Sequence, residues 1–288
     1  MKTFSKQPNH KETLEPATCP VCGNHETLPY WDCDGFGFER CVVCNHLMQN
    51  PRPIQDDLLN RYDDEYNEYE IQNSQLFFNL MVMGLKDTNF FDLEAKLFDQ
   101  MGPLELPKFL DIGCATGVLV AYLKDRGWDS KGIEVCVPAA EYGVKNRGVE
   151  IVVGTLDQLD LGKDCFDVIH SSHVIEHVTD PKSFLQQQFN LLKPGGRLFI
   201  TTPNTQSFQA WFKREHWRSA IADHVHIFSR KNLSTLLTSQ GFEIESFKTW
   251  GGMPAGMSHP WIKKLFDNWA KKWNQGDVMI FRCQKPLY

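Results

Sequence analysis

No run of apolar residues in this 288-residue chain approaches the roughly 18 that a membrane-spanning helix needs. The N-terminal stretch MKTFSKQPNHKETLEP has no apolar core of the secretory kind, so neither a span nor an export signal is expected. Positive charge is also short. The chain has 30 Lys and Arg against 36 Asp and Glu, a net charge of −6, which argues against broad phosphate-driven binding of nucleic acid. DDLLNRYDDEYNEYE, with seven acids and one arginine, is a poor surface to present to RNA. A disulfide framework is missing too: the nine cysteines are odd in number and scattered, which suits a reducing, cytoplasmic setting. What is present is apolar bulk. At 42% hydrophobic and 12% aromatic residues, the chain can build a sizeable core, and its length fits one large domain plus a small one.

Residues 1–18 are polar and expected to be frayed. Residues 19–50 hold CPVCG and CVVC in the pattern C-x2-C-x18-C-x2-C. Each CxxC turn presents two sulfurs to one side, and two such turns complete a tetrahedron. Cys19, Cys22, Cys41 and Cys44 are therefore the expected ligands of a structural zinc ion in a zinc ribbon. So short a segment has little core of its own, so the metal would supply much of its stability. Cys33, His25 and His46 are surplus to that set.

A PRP breaker opens residues 51–107, where QLFFNLMVMGL and FFDLEAKLFDQM carry apolar residues at helical spacing. Two packing helices linking the ribbon to the larger domain are expected. The sharper alternative sets Tyr62 or Tyr66 on a flap over an active site.

From residue 108 onward strand and helix alternate. KFLDI, KGIEV, EIVVG, FDVIHSS and RLFITTPN read as strands, with helices from Thr116, from Pro138 and over KSFLQQQFNLL between them. Asp180-Pro181 caps the last of these helices, and Ser229 caps another that Gly241 ends. FEIESFKTW and, after a helical insertion near 251–275, DVMIFRCQK complete the strands. Such alternation means an α/β fold, a doubly wound and mostly parallel sheet with ligands beyond the strands' carboxyl ends.

FLDIGCATGVLV then poses a choice. A nicotinamide turn reads G-x-G-x-x-G, whereas here Asp111-x-Gly113-x-Ala115-x-Gly117 places an acid two residues before the first glycine. The glycines let backbone approach a ligand in either case. A carboxylate beside that loop is awkward for a pyrophosphate and suits a ligand carrying an ammonium group, as S-adenosylmethionine does. Glu134, at the end of the second strand, is placed to take both ribose hydroxyls.

FLDIGCATGVLV, GIEV, FDVIHSSHVIEHVTDP, LLKPGGRLFITTPN and DHVHIFSRKNLSTLLTSQGFE resemble, in that order, the motifs of class I S-adenosylmethionine-dependent methyltransferases. The resemblance spans roughly residues 108–250 and implies a Rossmann-like seven-stranded sheet whose last strand, DVMIFRCQK, is antiparallel. It further implies that Asp111, Gly113, Cys114 and Gly117 line the methionine end of the cofactor. Glu134 would hold the ribose and Val135 would lie against the adenine. Thr155 and Leu156 would meet the adenine edge, and Ser171 and Ser172 would lie under the sulfonium. With the N-terminal CxxC module, the chain is similar to bacterial methyltransferases of sugar and natural-product pathways. The implied product is S-adenosylhomocysteine. The implied acceptor is a small molecule, such as a sugar, nucleotide-sugar or other biosynthetic intermediate, methylated at O, N or C.

A hydroxyl or carbon acceptor benefits from a general base. The candidates are His224 and His177, with His173 and His226 as further substrate-side residues. His173 and His177 stand four apart, on one face if that turn is helical, while His177 also reads as a structural residue and His226 as a packing one. HPWIKKLFDNWAKKW places Trp261, Leu265, Trp269 and Trp273 every four residues beside lysines. That stripe reads as core, lid or dimer contact, or as peripheral membrane contact through 261–273. An RNA methyltransferase gripping nucleic acid with its ribbon is disfavoured, because Arg40 is the only full cation in residues 19–50. A non-catalytic cofactor-binding scaffold is the remaining alternative.

Overall fold

Apolar pairs such as Phe109–Leu110 and Val168–Ile169 cannot face water on either side, and both lie at the centre of a seven-stranded sheet. The computed structural model describes all residues except 1–4, 7–10, 103, 253–258 and 288, so part of the expected 251–275 insertion lies outside the described residues. Strands run β1 (Leu14–Glu15), β2 (Thr27–Cys33), β3 (Phe36–Cys41), β4 (Leu47–Gln49) and β5 (Arg52–Pro53). They continue as β6 (Lys108–Ile112), β7 (Asp129–Glu134), β8 (Glu150–Val153), β9 (Phe166–Ser172) and β10 (Leu192–Pro203). The last three are β11 (His226–Ile227), β12 (Glu243–Trp250) and β13 (Val278–Gln284). Helices are α1 (Gln55–Leu59), α2 (Asp64–Asp87), α3 (Phe90–Gln100), α4 (Val118–Asp125) and α5 (Val137–Arg147), then α6 (Pro181–Leu191), α7 (Phe208–Lys213), α8 (Arg230–Ser239) and α9 (Pro260–Lys272).

The large sheet has the order β12-β13-β10-β9-β6-β7-β8. Pairs among β10, β9, β6, β7 and β8 are parallel, and β13 runs antiparallel to both β10 and β12, as the resemblance implies. The strand order reverses between β6 and β9, which opens a crevice at their carboxyl ends. Leu185, Leu236 and Ile200 pack one face of the sheet, while Phe90, Trp128 and Phe199 pack the other. The expected caps are in place: Asp180 accepts from the amides of Lys182 and Ser183, and Ser229 accepts from that of Asn232.

The N-terminal region departs from a module strung on a linker. β2, β3 and β4 form a four-stranded sheet whose fourth member is β11, a strand supplied from far downstream. Residues 11–18 are also held: Glu12 grips Arg61 through both oxygens, Ala17 N–H donates to Asn50 Oδ1, and β1 pairs with β5. The tyrosine-rich acidic stretch joins one long helix, α2, because Asp63 caps its start by accepting from Glu65 and Tyr66. No described helix is long and apolar enough to cross a membrane.

Candidate functional site

A cavity of about 540 Å³ opens at the carboxyl ends of β6, β7, β9 and β10, within the size range of small-molecule and cofactor sites. Its floor is the turn after β6. Gly113 sits at φ +72, and a Cβ built there would lie 2.4 Å from Val174 Cγ2, so only glycine passes the chain through this turn. Below it, a Cβ on Gly132 would stand 2.3 Å from Cys114 Sγ, so the GIEV glycine makes room for the thiol. Gly117, also at positive φ, caps α4 and packs on Val149 and Ile151 rather than lining the cavity.

Glu134 ends β7 at the cavity wall. Its Oε2 accepts from Ala115 N–H at 2.8 Å, and its Oε1 from Val135 and Cys136 N–H at 3.0 and 2.8 Å. These bonds fix the carboxylate beside the glycine turn. Burial still outweighs the amides and raises its pKa. Val135, Thr155 and Leu156 border the same cavity.

Three expected cofactor contacts fall elsewhere. Asp111 is buried in the sheet opposite His170, whose Nδ1–H donates to its Oδ1 at 2.7 Å, and it does not border the cavity. Its carboxylate is spent inside the fold, which corrects the expectation that it meets the ammonium group. Ser171 points into the core with its Oγ unpartnered, and only Ser172 faces the cavity, because successive strand residues alternate sides. Gly117 is the third, for the packing reason above.

The roof is α2. Tyr66, Tyr69, Glu70, Ser74, Phe77 and Met81 recur at helical spacing and border the cavity, with Tyr62 just ahead of them. Tyr62 and Tyr66 thus stand over the cavity, where the sharper alternative sets them, and α2 caps the site as well as linking the ribbon to the large sheet. Glu70 was not anticipated. Burial and the neighbouring Glu134 push its pKa up to about 8. The period of the apolar face was legible in sequence; what it covers was not.

The far wall carries histidines. His224 is buried and its Nδ1–H donates to Ser219 O at 2.8 Å; His177, half-buried, donates through Nδ1–H to Asp223 O at 2.9 Å. Both proton-bearing nitrogens are thus occupied by carbonyls, and neither Nε2 has a hydrogen-bond partner among the described residues. The rings meet edge to face, with centroids 4.7 Å apart. Burial, reinforced by His177, lowers the His224 pKa to about 3. One ligand-type atom each from Glu176, His177 and His224 lies within 4.8 Å of the others. Both Glu176 oxygens are already taken, by His173 Nδ1 at 3.0 Å and Thr202 Oγ1 at 2.9 Å. Burial raises the Glu176 pKa, yet His173 and the nearby imidazoles outweigh it and hold the carboxyl at about 2.

His173 borders the cavity from a non-helical turn, so the one-face argument for the 173/177 pair does not apply. His226 lies outside the cavity: its Nδ1 stands 3.2 Å from His46 Nε2, a packing role that removes it from the substrate side. Asp223 does not orient its neighbour His224; its carboxylate pairs with Arg61 at 2.7 Å.

The four cysteines Cys19, Cys22, Cys41 and Cys44 converge, with all four sulfurs within 4.8 Å of one another. Burial pushes the Cys19 thiol well up. At Cys41 burial acts the same way, but the amides of Cys44 and Val43 and the Cys22 thiol prevail and bring it to about 7. Four clustered sulfurs, one biased to thiolate, fit a tetrahedral Zn²⁺. Towards the C-terminus, Trp261, Leu265, Trp269 and Trp273 are all exposed, so this stripe is not core.

A family model described as a methyltransferase domain matches residues 88–246, more than half of the chain. The chain belongs to that family. It is 36% identical over 114 residues to the mouse (Mus musculus) protein named mitochondrial ubiquinone biosynthesis O-methyltransferase, a stretch that is 35% of this chain and 30% of that protein. Over 122 residues it is also 36% identical to the ubiquinone biosynthesis O-methyltransferase of Parvibaculum lavamentivorans, covering 40% of this chain and 46% of the relative. The chain thus spans less than half the length of either relative. Among solved structures, a chain of the complex between the Haloferax volcanii Trm112 methyltransferase activator and a methyltransferase superposes with a TM-score of 0.50 at 16% identity, over 72% of this chain and 96% of that one. That likeness is one of fold.

The cavity's own chemistry fits S-adenosylmethionine. A fixed carboxylate, Glu134, suits a ribose diol, and Val135 and Leu156 offer an apolar slot for a purine. Asp157 and Asp180 add carboxylates at the border, and both guanidinium groups there are already paired, Arg61 with Glu12 and Asp223 and Arg218 with Asp277, which leaves little free positive charge for a pyrophosphate and suits a cationic ligand.

Proposed function

We propose that this chain transfers the methyl group of S-adenosylmethionine to a hydroxyl of a small-molecule acceptor, releasing S-adenosylhomocysteine. The observation that carries this reading is one cavity with two unlike ends. One end has the glycine turn and Glu134; the other has two imidazoles whose Nε2 atoms have no hydrogen-bond partner among the described residues. The cofactor, when bound, supplies an already electrophilic methyl group, so the protein's tasks are alignment and removal of one proton.

Gly113, Cys114 and Glu134 hold the cofactor end, and Tyr66 and Glu70 cover it from α2. His224, neutral because its pKa is near 3, accepts a hydrogen bond from the acceptor hydroxyl and orients it. So low a pKa makes it a poor proton sink at neutral pH. His177, half-buried at the same wall, takes the proton as the new C–O bond forms and passes it to solvent. This divides the work between the two histidines that the sequence offers as candidates for a general base. Covering the cavity with α2 keeps water from the reacting methyl group.

The relatives are named as O-methyltransferases, which supports a hydroxyl acceptor; catechols and phenols, whose hydroxyls give up a proton more readily than a sugar's, join sugars and nucleotide-sugars as candidates. A small-molecule acceptor is favoured over nucleic acid, since the ribbon sheet spends its β4 edge on β11 and has Arg40 as its only full cation. The four cysteines would hold a structural Zn²⁺ away from the transfer chemistry. The test is label transfer from methyl-tritiated S-adenosylmethionine to a panel of catechols, phenols and nucleotide-sugars. Incorporation that His177→Gln abolishes supports the reading; incorporation into none of these hydroxyl acceptors overturns it.

A further inference from the structure

The strand that leaves the four-cysteine cluster does not end at the ribbon. Cys41 closes β3 and accepts from Asn45 N–H across the second CxxC turn, and Cys41 N–H donates to His46 O, the residue just ahead of β4. β4 then pairs antiparallel with β11, placing Met48 opposite His226 and Leu47 opposite Ile227. At the end of β4, Gln49 is buried, and its backbone N–H donates to Val225 O at 2.9 Å. Its Nε2 donates twice more, to Ala222 O at 2.9 Å and His224 O at 2.8 Å. One side chain thus satisfies the carbonyls on both sides of Asp223, whose own carbonyl accepts from His177. Asn232 adds a link by donating to Cys44 O at 3.0 Å.

We propose that Gln49 is a positioning residue for the 222–227 segment, so that the four-cysteine ribbon sets the acceptor end of the cavity while leaving the cofactor end independent. The physical basis is the difference in supports. Gly113, Cys114 and Glu134 are held by β6 and β7 of the large sheet, whereas His224 and the carbonyl that orients His177 are held through three hydrogen bonds from one ribbon residue. Buried carbonyls stripped of donors cannot recover them from water, so this segment rearranges when Gln49 loses its amide. The inference rests on the reading of His224 and His177 as acceptor-side residues.

The test uses the full chain with its metal, in Gln49→Met, which keeps length and volume, and Gln49→Glu, which keeps shape but removes both side-chain donors. Amide hydrogen exchange at Val225 and His226 and the imidazole Cε1 resonance of His224 are read beside calorimetric titration with S-adenosylmethionine. Either variant should speed exchange at those two amides by about tenfold and shift the His224 resonance, with cofactor affinity kept within about twofold. Chelation of the metal from the wild-type chain should reproduce the same local change. An unmoved His224 resonance with unchanged exchange overturns the proposal, and so does a loss of cofactor affinity in step with the loosening. If His224→Gln keeps full methyl transfer, the acceptor-side reading fails by itself, and the Gln49 measurements still decide the positioning.

Discussion

The two ends of the cavity are built by different means. The cofactor end rests on consecutive strands of one sheet, with residues such as Gly113 and Glu134 dictated by local backbone geometry and strand termini. The acceptor end is assembled from distant pieces, the 218–224 loop at the side and β4 of the ribbon behind. The difference teaches where function and specificity are encoded. Chemistry common to a family sits in short motifs, and acceptor choice sits in long-range contacts that no local pattern announces.

That contrast can be broken in graded steps. The largest effect should come from Gly113→Val, which drives a branched side chain into Val174 at positive φ; cofactor binding should fall below detection by calorimetry. Next is His177→Gln, expected to slow transfer by about 10²- to 10⁴-fold while leaving cofactor affinity near wild type. Equal losses in affinity and rate would erase the distinction between the two ends.

Metal analysis should find about one zinc per chain, and chelation should unfold residues 19–50 ahead of the large sheet. Asp111→Ala should cost stability, by about 1–3 kcal/mol, because His170 is left buried without its acceptor. Thermal unfolding would register that loss with the cofactor site otherwise able to bind.

The smallest predicted effect is a pH dependence. Glu70 has a folded pKa of about 8, above its ordinary 4.5, so the folded chain keeps a proton that the unfolded chain releases. Its contribution is therefore full below pH 4.5 and declines as pH rises towards 8. Glu70→Gln should raise the melting temperature at pH 8.5 by a few degrees, and far less at pH 5.

Much of the fold was legible in sequence because strand, cap and breaker signals agreed: FDVIHSS is β9 residue for residue, and Asp180-Pro181 caps α6. The cysteine spacing likewise anticipated a cluster the fold brings together. The misreadings share one cause. Whether Asp111 is free or spent depends on which residue the sheet register sets beside it, and His170 lies 59 positions away. Ser171 and Ser172 differ only by strand alternation, which a turn of uncertain start blurs. Gln49 carried no signal at all, since its importance lies in carbonyls 173 and 175 residues downstream.

The central claim, a cofactor end built for a cationic adenosyl sulfur compound, is tested most directly by parallel calorimetric titrations with S-adenosylmethionine, S-adenosylhomocysteine and NAD. Micromolar binding of the first two and none of NAD is the predicted result. Binding of NAD alone would contradict the assignment of Glu134 and the glycine turn, and the proposed transfer with it.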